Sequence, residues 1–196
     1  MTRIRDRRLD PDEEPLQWMA ALQRSRIPSL FWSAKLDLVK ISSDWLAKAL
    51  LDTTWADDGT GFYVYGPFNT GKSAVAAIIG MEMVRRCERV LWLSVREVPS
   101  VRFRENDEFA AINTRLETCD LLVLDDLGQQ RFKMDGPAGT AVEDTVRICY
   151  ERKRPVIYTS NWSWAEMPAR LAMIQPLVSL IKRTTKPHAM RGDWGG

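Results

Sequence analysis

Hydrophobic positions along the chain alternate between two periods. Four short runs rich in aliphatic, β-branched and aromatic residues, at 62–65, 90–93, 121–124 and 156–159, read as buried strands. Between them, apolar residues recur every three or four positions, the spacing of helices. The stretch 72–88 is apolar around most of its first half (Ala74, Val75, Ala77, Ile78, Ile79) and closes on Arg85 and Arg86, cations that suit the negative end of a helix dipole. Val142, Val146, Cys149 and Tyr150 make a one-sided stripe on a helix ahead of the fourth run, closed by Glu151, Arg152, Lys153 and Arg154. Before the first run, Leu36, Val39, Trp45, Leu46, Ala49 and Leu50 predict one or two helices within 34–51, with Ser42-Ser43-Asp44 as a cap. Strands alternating with helices imply an α/β fold whose parallel sheet is covered on both faces. Residues 1–26 are charged, broken by Pro11 and Pro15, and carry one amphipathic patch at Leu16, Trp18, Met19 and Leu22. They are expected to form an N-terminal arm ahead of a single domain at 27–196.

Composition narrows the class. The chain has 196 residues, 45% hydrophobic and 28% charged, enough for one domain and too few for two comfortable ones. Its 11 glycines and 10 prolines are ordinary, which excludes disordered and collagen-like chains. A balance of 28 Lys+Arg against 26 Asp+Glu gives no overall field, so any basic site must be local. Cys87, Cys119 and Cys149 form no CxxC pair and have only His188 as an imidazole companion, so neither a zinc site nor a disulfide framework is expected, and the reducing cytoplasm is the expected location. No apolar stretch reaches the roughly 20 residues of a membrane span. The Arg-rich start runs into Asp10, Asp12, Glu13 and Glu14 rather than the apolar core of a signal peptide, so no membrane association is expected.

The first strand run leads directly into Gly66-Pro67-Phe68-Asn69-Thr70-Gly71-Lys72-Ser73, a GxxxxGK[ST] string set between a strand and a long helix. Such a loop turns successive backbone N–H groups inward at the positive end of a helix, so a polyphosphate meets donors and a favourable dipole together. Lys72 is expected to reach the β- and γ-phosphates of ATP, and Ser73 to give its hydroxyl to Mg²⁺. Asn69 stands where many such loops have a further glycine; asparagine tolerates the left-handed conformation, so the cradle can still form.

The third run ends Leu124-Asp125-Asp126-Leu127-Gly128, placing two carboxylates at the sheet edge that carries the phosphate loop. Asp125 is expected to hold Mg²⁺ and Asp126 to orient the attacking water. Asp126 is one methylene shorter than the glutamate often found there, which predicts slow basal turnover. The fourth run ends Tyr158-Thr159-Ser160-Asn161, and Asn161 is a candidate to contact the water or γ-phosphate and report hydrolysis.

On these residues, together with the lead-in Arg26-Ile27-Pro28-Ser29-Leu30-Phe31 and the ending Arg191-Gly192-Asp193-Trp194, the chain resembles the AAA+ ATPases of the DnaC/DnaI helicase-loader and IstB-like group from about Arg26 onward. The resemblance implies a P-loop NTPase core with a five-stranded parallel sheet in the order 5-1-4-3-2; the ending just after Trp194 departs from the many AAA+ proteins that carry a helical lid, so no C-terminal lid domain is expected. It also implies ATP bound between subunits of an open or helical homo-oligomer, with a replicative helicase or a transposase as partner and single-stranded DNA as ligand. A site between subunits takes a cation from its neighbour, and Arg183 is the candidate finger, with Arg170 and Lys182 as alternatives.

Local basic and aromatic residues follow two strands. Arg102, Phe103 and Arg104 come after the second, and Arg131 and Lys133 after the acidic one; in a ring or spiral, loops there can track a nucleic-acid backbone. The expected activity is slow ATP hydrolysis coupled to helicase loading in DNA replication. The alternatives are an IstB-like transposition regulator on duplex DNA and a small-molecule kinase built on the same loop.

Overall fold

The computed structural model describes residues 8–34, 44–103, 106–128 and 136–191. The four apolar runs form strands β1 (Gly61–Tyr65), β2 (Val90–Ser94), β3 (Leu121–Leu127) and β4 (Val156–Ser160), and a fifth, β5 (Thr185–Ala189), follows. All pairings are parallel, in the order β2-β3-β4-β1-β5, the expected order read from the other edge. β5 has one neighbour, β1, so Pro187 can sit in it without removing a hydrogen bond the sheet needs.

Alternate residues of each strand enter opposite cores. Phe62, Val64, Leu121 and Val123 join one cluster with α1 (Pro15–Ser25), α2 (Asp44–Leu51), α3 (Thr54–Asp57) and α4 (Lys72–Arg85). Tyr63, Leu122, Leu124 and Tyr158 join the other, under α5 (Val98–Phe103), α6 (Asp107–Thr118), α7 (Gly136–Glu151), α8 (Met167–Arg170) and α9 (Gln175–Thr184). Helix α4 is apolar almost all round because it is buried almost all round, from Ala74 to Val84. The segment expected to be an arm carries α1, which packs on α4 through the fully buried Leu22. Residues 35–43, part of the stretch expected to be helical before β1, lie outside the described residues. Among the described residues, no helix is long and apolar enough to cross a membrane.

Parallel pairing brings the C-terminal ends of β1, β3 and β4 to one rim. The sequence following those ends is the phosphate loop, the acid pair and Asn161.

Candidate functional site

The phosphate loop leaves β1 between two backbones. The Gly66 N–H donates to the Ser160 carbonyl at 3.1 Å, and the Met190 N–H donates to the Tyr65 carbonyl at 2.6 Å. A Cβ on Gly66 would stand 2.4 Å from the Met190 carbonyl oxygen, so only glycine fits there. The loop then turns through Asn69 (φ +59°) and Gly71 (φ +81°), both left-handed, before α4 begins at Lys72. Asn69 therefore takes the conformation a glycine would supply. Within the turn, the Pro67 carbonyl accepts from the Thr70 hydroxyl at 3.0 Å and from Lys72 Nζ at 2.6 Å. Burial holds the Lys72 ammonium below the usual lysine value, and the charges of Asp126 and Asp125 oppose that shift.

The two acids are adjacent in sequence but differently placed. Ser73 Oγ donates to Asp125 Oδ1 at 2.8 Å, and Thr159 Oγ1 donates to the same oxygen at 2.5 Å. Burial pushes the Asp125 carboxyl above the usual aspartate value despite these two donors, which act to lower it. The register of β3 against β4 slips between Leu124 and Leu127, a one-residue bulge. Asp126 occupies it at φ +64°, and its N–H donates to Thr159 Oγ1 at 2.9 Å. Bulged, Asp126 lines the cleft with Asn69, Lys72, Ser73, Asn161 and Phe31, around about 230 Å³ of open space. Asp125 lies one hydrogen bond behind that lining, through Ser73. Gly128 ends the acidic segment at φ +96°, where a Cβ would lie 2.5 Å from the Trp162 indole.

The structure thus gathers Lys72, Ser73, Asp126 and Asn161 around one cleft, with Asp125 beside them. Two larger cavities, of about 500 and 480 Å³, lie elsewhere and hold none of these groups. The residues present suit Mg²⁺: a hydroxyl and a carboxylate oxygen are hard ligands in contact beside a phosphate cradle. No group of three or more His, Cys, Asp or Glu side chains that could hold a metal occurs among the described residues.

Arg183 stands apart. It precedes β5, whose first residue Thr185 pairs with Gly61 at the start of β1, so it sits at the rim opposite the phosphate loop, roughly 13 Å away along a five-residue strand. There its guanidinium lies 5.6 Å from the ring centroid of Tyr150. Arg170 ends α8, and Lys182 is exposed on α9. Of the residues expected to meet nucleic acid, Arg102 donates to Asn113 Oδ1 at 2.8 Å and Phe103 is exposed, while Arg104, Arg131 and Lys133 lie outside the described residues. Thr159 escaped the sequence reading as a site residue; the signal was a polar side chain at an apolar strand position next to the acids.

A five-stranded parallel sheet in this order, with phosphate loop, acidic strand end and polar strand end on one rim, defines an ATP-binding P-loop protein of the AAA+ type. The sequence profile of the IstB-like ATP binding protein family matches residues 36–178, and the chain belongs to that family. An insertion-sequence ATP-binding protein of Sinorhizobium fredii is 30% identical to it over 116 residues, 58% of this chain and 38% of that protein. The chain therefore aligns with well under half of that relative's length. Among solved structures, the DnaC helicase loader superposes with a TM-score of 0.70 at 15% identity, over 83% of this chain and 99% of that one. DnaI does so at 0.67 and 18%, over 84% and 94%. AMPPCP-bound DnaA from Aquifex aeolicus gives 0.61 and 18%, over 78% and 48%. At these identities the structural likeness speaks for the fold.

Proposed function

We propose that the protein hydrolyses ATP slowly and uses the change of nucleotide state to deliver a partner protein onto DNA. The observation that carries this reading is the convergence of Lys72, Ser73, Asp126 and Asn161 on one cleft at the mouth of the phosphate loop. Loop N–H groups and Lys72 neutralise the β- and γ-phosphates. Ser73 and Asp125 hold Mg²⁺, which supplies charge neutralisation to the phosphates when bound. Asp126 orients the attacking water and accepts its proton as the water adds in line to the γ-phosphorus, while the bond from that phosphorus to the β–γ bridging oxygen breaks and ADP leaves. Asn161 contacts the same phosphate or water and transmits its loss to β4. Arg183 serves the nucleotide of an adjacent copy in a ring or spiral, since its own cleft is at the other rim.

Within this reading we place helicase loading first, with single-stranded DNA as the ligand, supported by the fold shared with the DnaC and DnaI loaders over 83% and 84% of the chain. Regulation of transposition on duplex DNA is the second reading, favoured by the insertion-sequence relative. An ATPase assay with Mg²⁺ tests the site: Lys72→Ala and Asp125→Ala are expected to remove turnover, and unchanged rates would overturn the assignment. Assembly measured on single-stranded and on duplex DNA, with ATP and a non-hydrolysable analogue, separates the two partners.

A further inference from the structure

A recess of about 500 Å³ opens where α1, the end of α4, the start of β2 and the last turn of α6 meet. It lies on the rim opposite the phosphate loop, since Arg89 and Val90 lead into β2 whereas the loop follows the end of β1. Its floor is apolar, with Leu9, Val84, Val90 and Leu91 all buried. Three arginines, Arg24, Arg89 and Arg115, line it against one carboxylate, Glu88.

The arginines differ in what holds them. Arg89 is neutralised by Asp120, which accepts from its Nε at 3.0 Å and from Nη2 at 2.9 Å, and Glu88 lies near the same cation. Arg26, close to the recess, is tied to Glu97 at 2.6 Å. Arg24 and Arg115 have no such partner among the described residues. Burial, and then the cations of Arg26 and Arg24, hold the half-buried Arg115 guanidinium below its usual value. Like charges gathered over an apolar floor are an unfavourable arrangement that an anion would relieve.

We propose that this recess is a second ligand site, separate from the ATP cleft, for a nucleotide unit whose phosphate lies between Arg24 and Arg115 and whose sugar and base cover the apolar floor. Two guanidinium forks offer more donors than one carboxylate can accept, whereas a phosphate has the oxygens and the geometry to take them. The volume falls within the ~300–1,000 Å³ of ordinary ligand pockets. A nucleic-acid strand and a free nucleotide share this chemistry, and the experiment separates them. The inference does not depend on the proposed helicase or transposase.

The test uses the full chain carrying Lys72→Ala, so that binding at the ATP cleft does not contribute. The probes are a fluorescein-labelled oligothymidylate read by anisotropy and dTMP read by calorimetry. Adding Arg24→Gln and Arg115→Gln together is expected to weaken probe binding about tenfold or more, the scale of a lost charge-assisted hydrogen bond. For the strand, the slope of log K against log salt is expected to flatten by about 0.7, one phosphate contact. Weakening for the strand alone assigns the site to nucleic acid, and weakening for both probes assigns it to nucleotides generally. Unchanged binding of both probes overturns the proposal. Arg24→Gln alone, at an exposed position, carries the same reading with a smaller effect should the double exchange not fold. The Lys72-dependent share of binding of a fluorescent ATP analogue, taken as the difference between proteins with and without Lys72→Ala, is expected to be the same with and without the double exchange; its loss with the melting temperature preserved overturns the separateness of the two sites.

Discussion

The Thr159 hydroxyl donates to Asp125 Oδ1 at 2.5 Å while accepting the Asp126 N–H at 2.9 Å, so one side chain on β4 fixes both acids on β3. Thr159→Val keeps the shape and removes both bonds, leaving a part-buried N–H unpaired and Asp125 with one donor fewer. Hydrolysis is expected to fall about 10- to 100-fold, corresponding to ~1–3 kcal/mol for an unsatisfied polar group. Nucleotide affinity is expected to stay within about threefold. Thr159→Ser restores turnover. Steady-state kinetics with the two variants separate loss of positioning from loss of binding.

Asn69 carries the left-handed turn of the phosphate loop at φ +59°. Asn69→Gly removes the residual strain, and the melting temperature and nucleotide affinity are expected to hold or rise slightly. Asn69→Val places a β-branched residue in a conformation that costs L-residues ~1–2 kcal/mol. Denaturant titration is expected to show that loss, together with weaker binding of an ATP analogue.

Gly128→Ala drives a methyl group to 2.5–2.8 Å from three ring atoms of Trp162 at a backbone φ of +96°. Overpacking and strain together are expected to cost roughly 2–4 kcal/mol. Chemical denaturation measures it, and a second consequence is loss of hydrolysis, since Gly128 anchors the strand end that carries the acids.

Two part-buried groups give opposite pH signatures. Asp125 has a raised pKa in the native state, so the native state keeps a proton that the unfolded chain has already lost above pH 3.8; stability falls as pH rises through that window. At pH 7, Asp125→Asn is therefore expected to raise the melting temperature while removing turnover, and the stability gain is expected to vanish below pH 3.8. His188 behaves in reverse. Burial, aided by Lys186, pushes its imidazole down to about 4, and its ring stacks on Trp45 at 3.8 Å. The unfolded chain then takes a proton the native state refuses, and stability rises with pH from about 4 to 6.5. His188→Phe keeps a stacking ring and is expected to flatten that limb in denaturation curves recorded across the window.

The sequence made β1 to β4 legible because strands buried on both faces are solid apolar runs, and it made the phosphate loop legible because glycine and asparagine mark the turns the backbone must take. β5 was not legible in the residues themselves: in Thr185-Lys186-Pro187-His188-Ala189 three of five side chains face solvent, as an edge strand allows. The bulge at Asp126 was hidden for a different reason. Two adjacent aspartates look alike in one dimension, and only the slip of β3 past β4 puts one in the cleft and the other behind Ser73. Thr159 reads as ordinary strand filler until its hydroxyl is seen between them.

The placement of Arg183 against Tyr150, a full strand length from Lys72, has a consequence for timing. Under the proposed role of Arg183 at a neighbour's nucleotide, a solitary molecule would keep its fuel, because its own cation stands at the far rim, and burning would wait on company. In an open chain of copies the end member, lacking someone to complete it, would stay charged while those inside fire, and the assembly would gain a marked end from identical parts.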